Sequence, residues 1–121
     1  ALERVNRVLR ELADELGGVG FNEVMLPLAE DELLKEKARS GEVGFRDLLS
    51  LVAVCVAGLD MVPVPSWTDD SLIAGVLEDL EAFRELKGKT VGVRLVPVDV
   101  EPGEEVELGI FGKTPVLDIL S

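Results

Sequence analysis

Histidine, glutamine and tyrosine are all missing from this 121-residue chain, and asparagine occurs only as Asn6 and Asn22. Without histidine, the commonest general base and zinc ligand is absent. Any catalysis must therefore use Asp, Glu, Lys or Cys. Cys55 is the single cysteine, so no disulfide can form within the chain, a usage that fits the cytoplasm. Aromatic residues make up only 4% of the chain against 47% hydrophobic, which leaves Val, Leu, Ile and Ala to build the core. No apolar run reaches the roughly 18 residues that span a bilayer. Val52 to Val64 comes closest, and Asp60 interrupts it. Basic residues are outnumbered two to one, with 12 Lys and Arg against 24 Asp and Glu, a net charge of −12. A charge of that sign argues against nucleic acid, whose phosphates demand a basic footprint. Scarce amides together with abundant Glu suggest a thermophilic source.

What is present reads as one α/β domain over residues 1–121. Leu2, Val5, Val8, Leu9, Leu12, Ala13 and Leu16 mark one face of a first helix, stopped by Gly17-Gly18. Phe21 to Leu26 reads as a strand ended by Pro27, and Glu30 to Arg39 as a polar helix. Phe45 to Ala57 is a largely apolar helix with Gly58 as its expected cap, and Leu59 to Val64 is a buried strand. The next helix takes Thr68 as N-cap and carries Leu72, Ile73, Val76, Leu77, Leu80, Phe83 and Leu86 as far as Gly88. Thr90 to Val96, Val106 to Leu108 and Thr114 to Ile119 complete the strands, with Gly109 to Lys113 as a hairpin turn. Strands separated by helices predict a mixed sheet with helical crossovers.

The candidate site residues follow from their surroundings. Asp60 stands between Leu59 and Met61, where an unpaired carboxylate would cost several kcal/mol. It must reach solvent, a cation or backbone donors at a helix end; that leaves a structural cap or pair beside a metal- or substrate-binding role, and makes it a catalytic candidate beside Cys55. Cys55 itself fits a small core residue as well as a reactive thiol. Arg94 alternates with Val93 and Leu95; it either pairs with a carboxylate or clamps an anionic substrate. Lys89 and Glu23 join it as candidate substrate-binding residues. Glu30 and Asp31 follow a strand end, where α/β sheets hold ligands, and are candidate ligands for a divalent cation such as Mg, Ca or Mn. Asp31 can equally cap the helix that follows it.

Several segments, taken in order, carry a resemblance. They are Asn22-Glu23-Val24-Met25-Leu26-Pro27-Leu28-Ala29-Glu30-Asp31, Ala53-Val54-Cys55-Val56-Ala57-Gly58-Leu59-Asp60-Met61, Val93-Arg94-Leu95-Val96-Pro97-Val98 and Gly109-Ile110-Phe111-Gly112-Lys113-Thr114-Pro115-Val116. Together they resemble the C-terminal part of uncharacterised protein family 0210, also called domain of unknown function 711, with Lys89 falling where that family has a lysine. The resemblance implies a fold like the α/β barrel of pyruvate formate-lyase, and members several times longer than this chain. The chain is then expected to be a fragment or one piece of a split protein, whose partner is the missing N-terminal region, another chain or a second copy in a homo-oligomer. Glycyl radical chemistry is not implied, because no Arg-Val-x-Gly-Tyr segment is present. Two functions are open: part of a small-molecule enzyme with a carboxylate-lined, metal-binding site, or a non-catalytic domain that completes a larger barrel. Neither nucleic acid nor membrane is an expected partner.

Overall fold

The structure is a computed structural model that describes residues 1–121. Its elements run α1 (Leu2–Leu16), β1 (Met25–Pro27), α2 (Glu32–Arg39), α3 (Phe45–Val54), β2 (Gly58–Pro65), α4 (Asp70–Lys87), β3 (Gly92–Val98), β4 (Glu105–Glu107), a short 3-10 turn (Gly109–Phe111) and β5 (Lys113–Pro115). The α/β class is as expected. Strands of both directions occur, but in separate sheets rather than one mixed sheet: β1-β2-β3 is wholly parallel, and β4-β5 is an antiparallel hairpin.

Strands that follow one another across a parallel sheet need crossovers, and right-handed crossovers in one direction put their helices on one face. Side chains from α2, α3 and α4 accordingly share a single apolar cluster with Leu59, Val62, Val64, Val93 and Leu95 of the sheet. Phe45 is the one fully buried aromatic in it, so the core is aliphatic, as the composition requires. Strand alternation sends the intervening residues Gly58, Asp60, Gly92 and Arg94 to the other face. The three strands do not close into a barrel. Beyond the short β1, the C-terminal segment takes over its side of β2, with the Leu117 N–H donating to the Pro63 carbonyl at 3.0 Å.

Of the boundaries that differ from the sequence reading, four do so for a local reason. The strand expected over 21–26 is only Met25–Pro27, because the Val24 N–H donates to the Asn6 side chain instead of a neighbouring strand. Gly58 is not a helix cap. The third helix stops at Val54 with Cys55 as its cap, and Gly58 opens β2. The N-cap of α4 is Asp69, whose carboxylate accepts from the Ser71 N–H at 2.8 Å; Thr68 instead turns its hydroxyl back to the Pro65 carbonyl at 2.7 Å. The last strand is short, Lys113–Pro115, since its β4 partner extends only over Glu105–Glu107.

Asp31 is the N-cap of α2, accepting from the Leu34 N–H at 3.0 Å, as its position suggested. Replacement by Ala leaves that N–H without its partner. An Asp31→Ala variant should lose about 1 kcal/mol of stability, read as a shift in urea midpoint at constant slope.

Candidate functional site

Ionisable side chains gather at two places, one at the strand starts and one on a face of the parallel sheet. At the N-terminal end, Glu23 leads into β1 and α1 lies across the strand starts. The Glu23 side chain is 2% exposed and both its oxygens are engaged: Oε1 accepts from Arg10 Nη1 and Oε2 from Lys87 Nζ, each at 2.7 Å. Lys87 is the last residue of α4. Its ammonium also donates to the carbonyls of Val52 (3.0 Å) and Val56 (2.6 Å), where α3 ends and its backbone acceptors would otherwise lack partners. Asn6, fully buried, accepts from the Val24 N–H at 2.8 Å and donates to the Cys55 carbonyl. Burial alone would push the Glu23 carboxyl up, but the hydrogen bonds from Lys87 and Arg10 outweigh it and hold the group below the ordinary carboxylate range.

Cys55 lies beside this network in a cleft of about 330 Å³ with Arg10, Glu23, Lys87 and Lys89. Its side chain is half-buried against the core. Lys89 reaches outward to Asp14 at 3.4 Å. Both polar partners of Glu23 lie within the chain, and Lys87 uses all three of its protons there. The cluster's chemistry is that of a clamp joining α1, β1, α3 and α4.

The second place lies on the sheet face turned away from α3 and α4. Asp60 of β2 and Arg94 of β3 form a forked pair, Nε to Oδ1 at 2.5 Å and Nη2 to Oδ2 at 2.9 Å. This geometry is the strong bidentate form of the Arg–carboxylate contact. Asp60 needs Arg94 because it is partly buried, whereas the Arg94 side chain remains 62% exposed with one guanidinium nitrogen unengaged. The hydrogen bond and charge of Asp60 raise the Arg94 guanidinium further above its ordinary value, and the charge of nearby Glu30 adds to the effect.

The backbone here departs from regular strand. Met61 has φ 52°, left-handed for a bulky side chain, and the β2–β3 register shifts between Leu59 and Val62. A bulge of this kind re-aims the side chains beside it, and such strained residues concentrate at functional sites.

The structure therefore sorts the candidates. Asp60 and Arg94, the third residues of β2 and β3, come together with Glu30 near the end of β1, with Asp31 next to them but committed to its cap. Glu23, Lys89 and Cys55 lie ahead of the strand starts and line a cleft that does not include Asp60, so Cys55 and Asp60 do not share a pocket. No group of three or more Cys, Asp or Glu side chains is gathered closely enough to hold a metal ion.

Arg10, Asn6 and Lys87 went unnoticed in the sequence. For Lys87 a signal existed: it continues the spacing Val76, Leu80, Phe83 along the inward face of α4, where a lysine must find buried acceptors. Lys35 is a second case. It is 1% exposed on the otherwise polar α2 and donates to Glu32 at 2.7 Å and to the Phe111 carbonyl, so that the Gly109–Phe111 turn is tied to α2.

A one-layer parallel sheet carrying an ion pair on its helix-free face defines an α/β chain of crossover type. The chain belongs to the family described as Uncharacterised ACR (DUF711), which it matches over residues 1–109. It is 37% identical over 109 residues to a UPF0210 protein of Lacticaseibacillus casei, an alignment covering 88% of this chain and 23% of the relative. Against UPF0210 proteins of Methanopyrus kandleri and Pyrobaculum islandicum it is 36% and 34% identical over 102 residues, covering 83% of this chain and 22% and 23% of theirs. The chain thus spans about a quarter of the length of the curated relatives it matches. No solved structure gives a significant match. No helix is long and apolar enough to cross a membrane.

Proposed function

We propose that this chain supplies the polar wall of a small-molecule site in a larger α/β enzyme, and that the Asp60–Arg94 pair binds an anionic group of the ligand. The observation that carries the reading is the forked pair itself, held on a kinked strand with the guanidinium open to solvent. An ion pair serving stability alone needs neither a left-handed methionine beside it nor an exposed donor. Glu30 follows the end of β1, and ligands of parallel sheets collect toward C-terminal strand ends. In this reading Asp60 fixes the orientation of Arg94, the free guanidinium nitrogen takes a carboxylate or phosphate oxygen, and Glu30 is the nearby acid available to move a proton. A divalent ion is a secondary form of the same reading, with Asp60 and Glu30 as its protein ligands and the remaining positions supplied by substrate or by the rest of a longer protein.

The test is a thermal-shift series on the 121-residue chain with inorganic phosphate, malonate and the chlorides of Mg, Ca and Mn, each alone. Phosphate or malonate should raise the melting temperature, since a ligand at about 100 times its Kd adds about 2.7 kcal/mol. The rise should disappear in Arg94→Met, shrink in Asp60→Asn and survive in Cys55→Ala. Absence of any shift from all five additives would sink both the anion and the cation forms. Equal, negligible effects of Asp60→Asn and Cys55→Ala would reject the ranking of Asp60 above the thiol.

A second reading is favoured by the one-sided sheet. Parallel sheets occur almost only with both faces covered, and here α2, α3 and α4 serve one face. A domain whose role is to complete a larger barrel, of the pyruvate formate-lyase kind that the resemblance implies, would leave this face for the remaining strands to enclose. Strong binding of a hydrophobic dye by the folded chain supports that role, and a chain that binds none counts against it.

A further inference from the structure

The amphipathic helix α1 is attached by the wrong side. Its one buried side chain is the polar Asn6, and Arg10 provides the other anchor, through Glu23. The apolar stripe is turned away: Val5 is 49% exposed, Leu12 47% and Leu16 81%. Leu2, Val5, Leu9, Leu12 and Leu16 are spaced alternately three and four apart, the a and d positions of a heptad seam that packs against another helix. Leu9, Leu12, Ala13 and Leu16, together with Phe21, line a shallow groove of about 280 Å³ along this side.

The charges say which helix fits. Arg4 and Arg7 lie in the first half of α1 and Arg10 just past its midpoint, ahead of Glu11, Asp14 and Glu15, with Glu3 the exception. This order opposes the helix dipole, which favours acids at the N-terminus and bases at the C-terminus. Neither Arg4 nor Glu15, which lie on the side of the apolar face that the exposed Val8 widens, has an ion-pair partner within the chain. A helix laid antiparallel across the seam would meet Arg4 with acid near its C-terminal end and Glu15 with base near its N-terminal end. The α1 of a second copy has that arrangement, and opposed dipoles add to the match.

We infer that α1 is a self-complementary docking helix through which two copies of this chain pair antiparallel about a two-fold axis near Leu9. Such an interface is isologous: each Arg4 faces the second copy's acidic half, and each Leu–Val seam covers the other. The net charge of −12 does not forbid it, because at physiological ionic strength charges beyond about 8 Å are screened and the local pairs dominate. A single helix pair is a small interface, so the association is weak and concentration-dependent. The inference does not depend on the Asp60–Arg94 site.

Sedimentation equilibrium of the 121-residue chain from about 1 μM to about 1 mM, a span that covers weak affinities, is the test. The mass should rise from 13.1 kDa toward twice that value as concentration increases. The Val5→Gln/Leu12→Gln variant, altered only at half-exposed positions, should keep its circular dichroism and melting temperature yet stay monomeric. Arg4→Glu or Glu15→Arg alone should weaken pairing about three- to tenfold, the scale of two exposed ion pairs. The combined swap should restore it. A wild-type monomer at the highest concentration overturns the inference and leaves this face to the rest of a longer family polypeptide. A dimer that persists in Val5→Gln/Leu12→Gln overturns it as well, by moving the interface elsewhere. Failure of the combined swap to rescue overturns the antiparallel arrangement.

Discussion

Lys87→Met is expected to destabilise the chain by about 3 to 5 kcal/mol, the scale of breaking one side of a buried pair. Methionine fills much of the same space, so the loss comes from charge and hydrogen bonding, not from a cavity. It would leave Glu23, nearly inaccessible to solvent, with Arg10 as its sole cationic partner, and it would strip the Val52 and Val56 carbonyls of a donor at the end of α3. Chemical denaturation with an unchanged slope should show the full effect. A loss below about 1 kcal/mol would mean that water or a neighbour replaces the ammonium, against the buried-pair account.

The same clamp sets a pH response. The folded-state pKa of Glu23 is depressed, by Lys87 and Arg10 acting against burial. A depressed carboxyl contributes stability that is present above its unfolded value, about 4.3, and is lost as pH falls through the lower folded value. Wild-type stability should therefore decline on acidification below about pH 4.3. Glu23→Gln should start lower at neutral pH and show a shallower decline. Parallel curves for the two proteins would remove Glu23 from the acid response.

Gly58→Ala is expected to be the most damaging single-methyl change, about 3 kcal/mol or more, at the upper end for overpacking. A Cβ at this position would lie 2.0 Å from the Gly92 carbonyl oxygen, and both atoms belong to paired central backbone that has no freedom to yield. Gly92→Ala offers the contrast. There the obstacle is the ring of Phe21 at 2.8 Å, an exposed side chain that can rotate away. Soluble yield and urea midpoint should rank wild type above Gly92→Ala and Gly92→Ala well above Gly58→Ala. Comparable losses would show that the sheet, not the approach of the two strands, is accommodating the methyl.

The helices and their order were legible because α1, α2 and α4 carry their own punctuation. Gly17 and Gly88 adopt the left-handed conformation that ends α1 and α4, and Asp31 caps α2; all three effects act within a few residues. Strand limits were less legible. The length of β1 depends on Asn6, eighteen positions earlier, taking the Val24 N–H. Gly58 had the composition of a helix cap, and only the parallel neighbour at Gly92 explains why it must be glycine in a strand. Candidate site residues divided in the same way. That Asp60 and Arg94 each required a partner followed from charge among apolar neighbours. That they are one another's partner required the β2–β3 register.

By itself, then, the sequence determined the α/β class, the aliphatic core, the glycine stops of α1 and α4, the absence of histidine chemistry and the membership of the family, since these depend on composition and short-range pattern. The tertiary structure decided which charges meet. It put Asp60 on Arg94 and Glu30 near them, sent Glu23 to Lys87 and Arg10 at the strand starts, and turned the apolar face of α1 outward. The physical reason is distance along the chain. Capping and periodicity are settled within one or two helical turns, whereas an ion pair between residues 34 or 64 positions apart exists only once the strands and helices between them have packed.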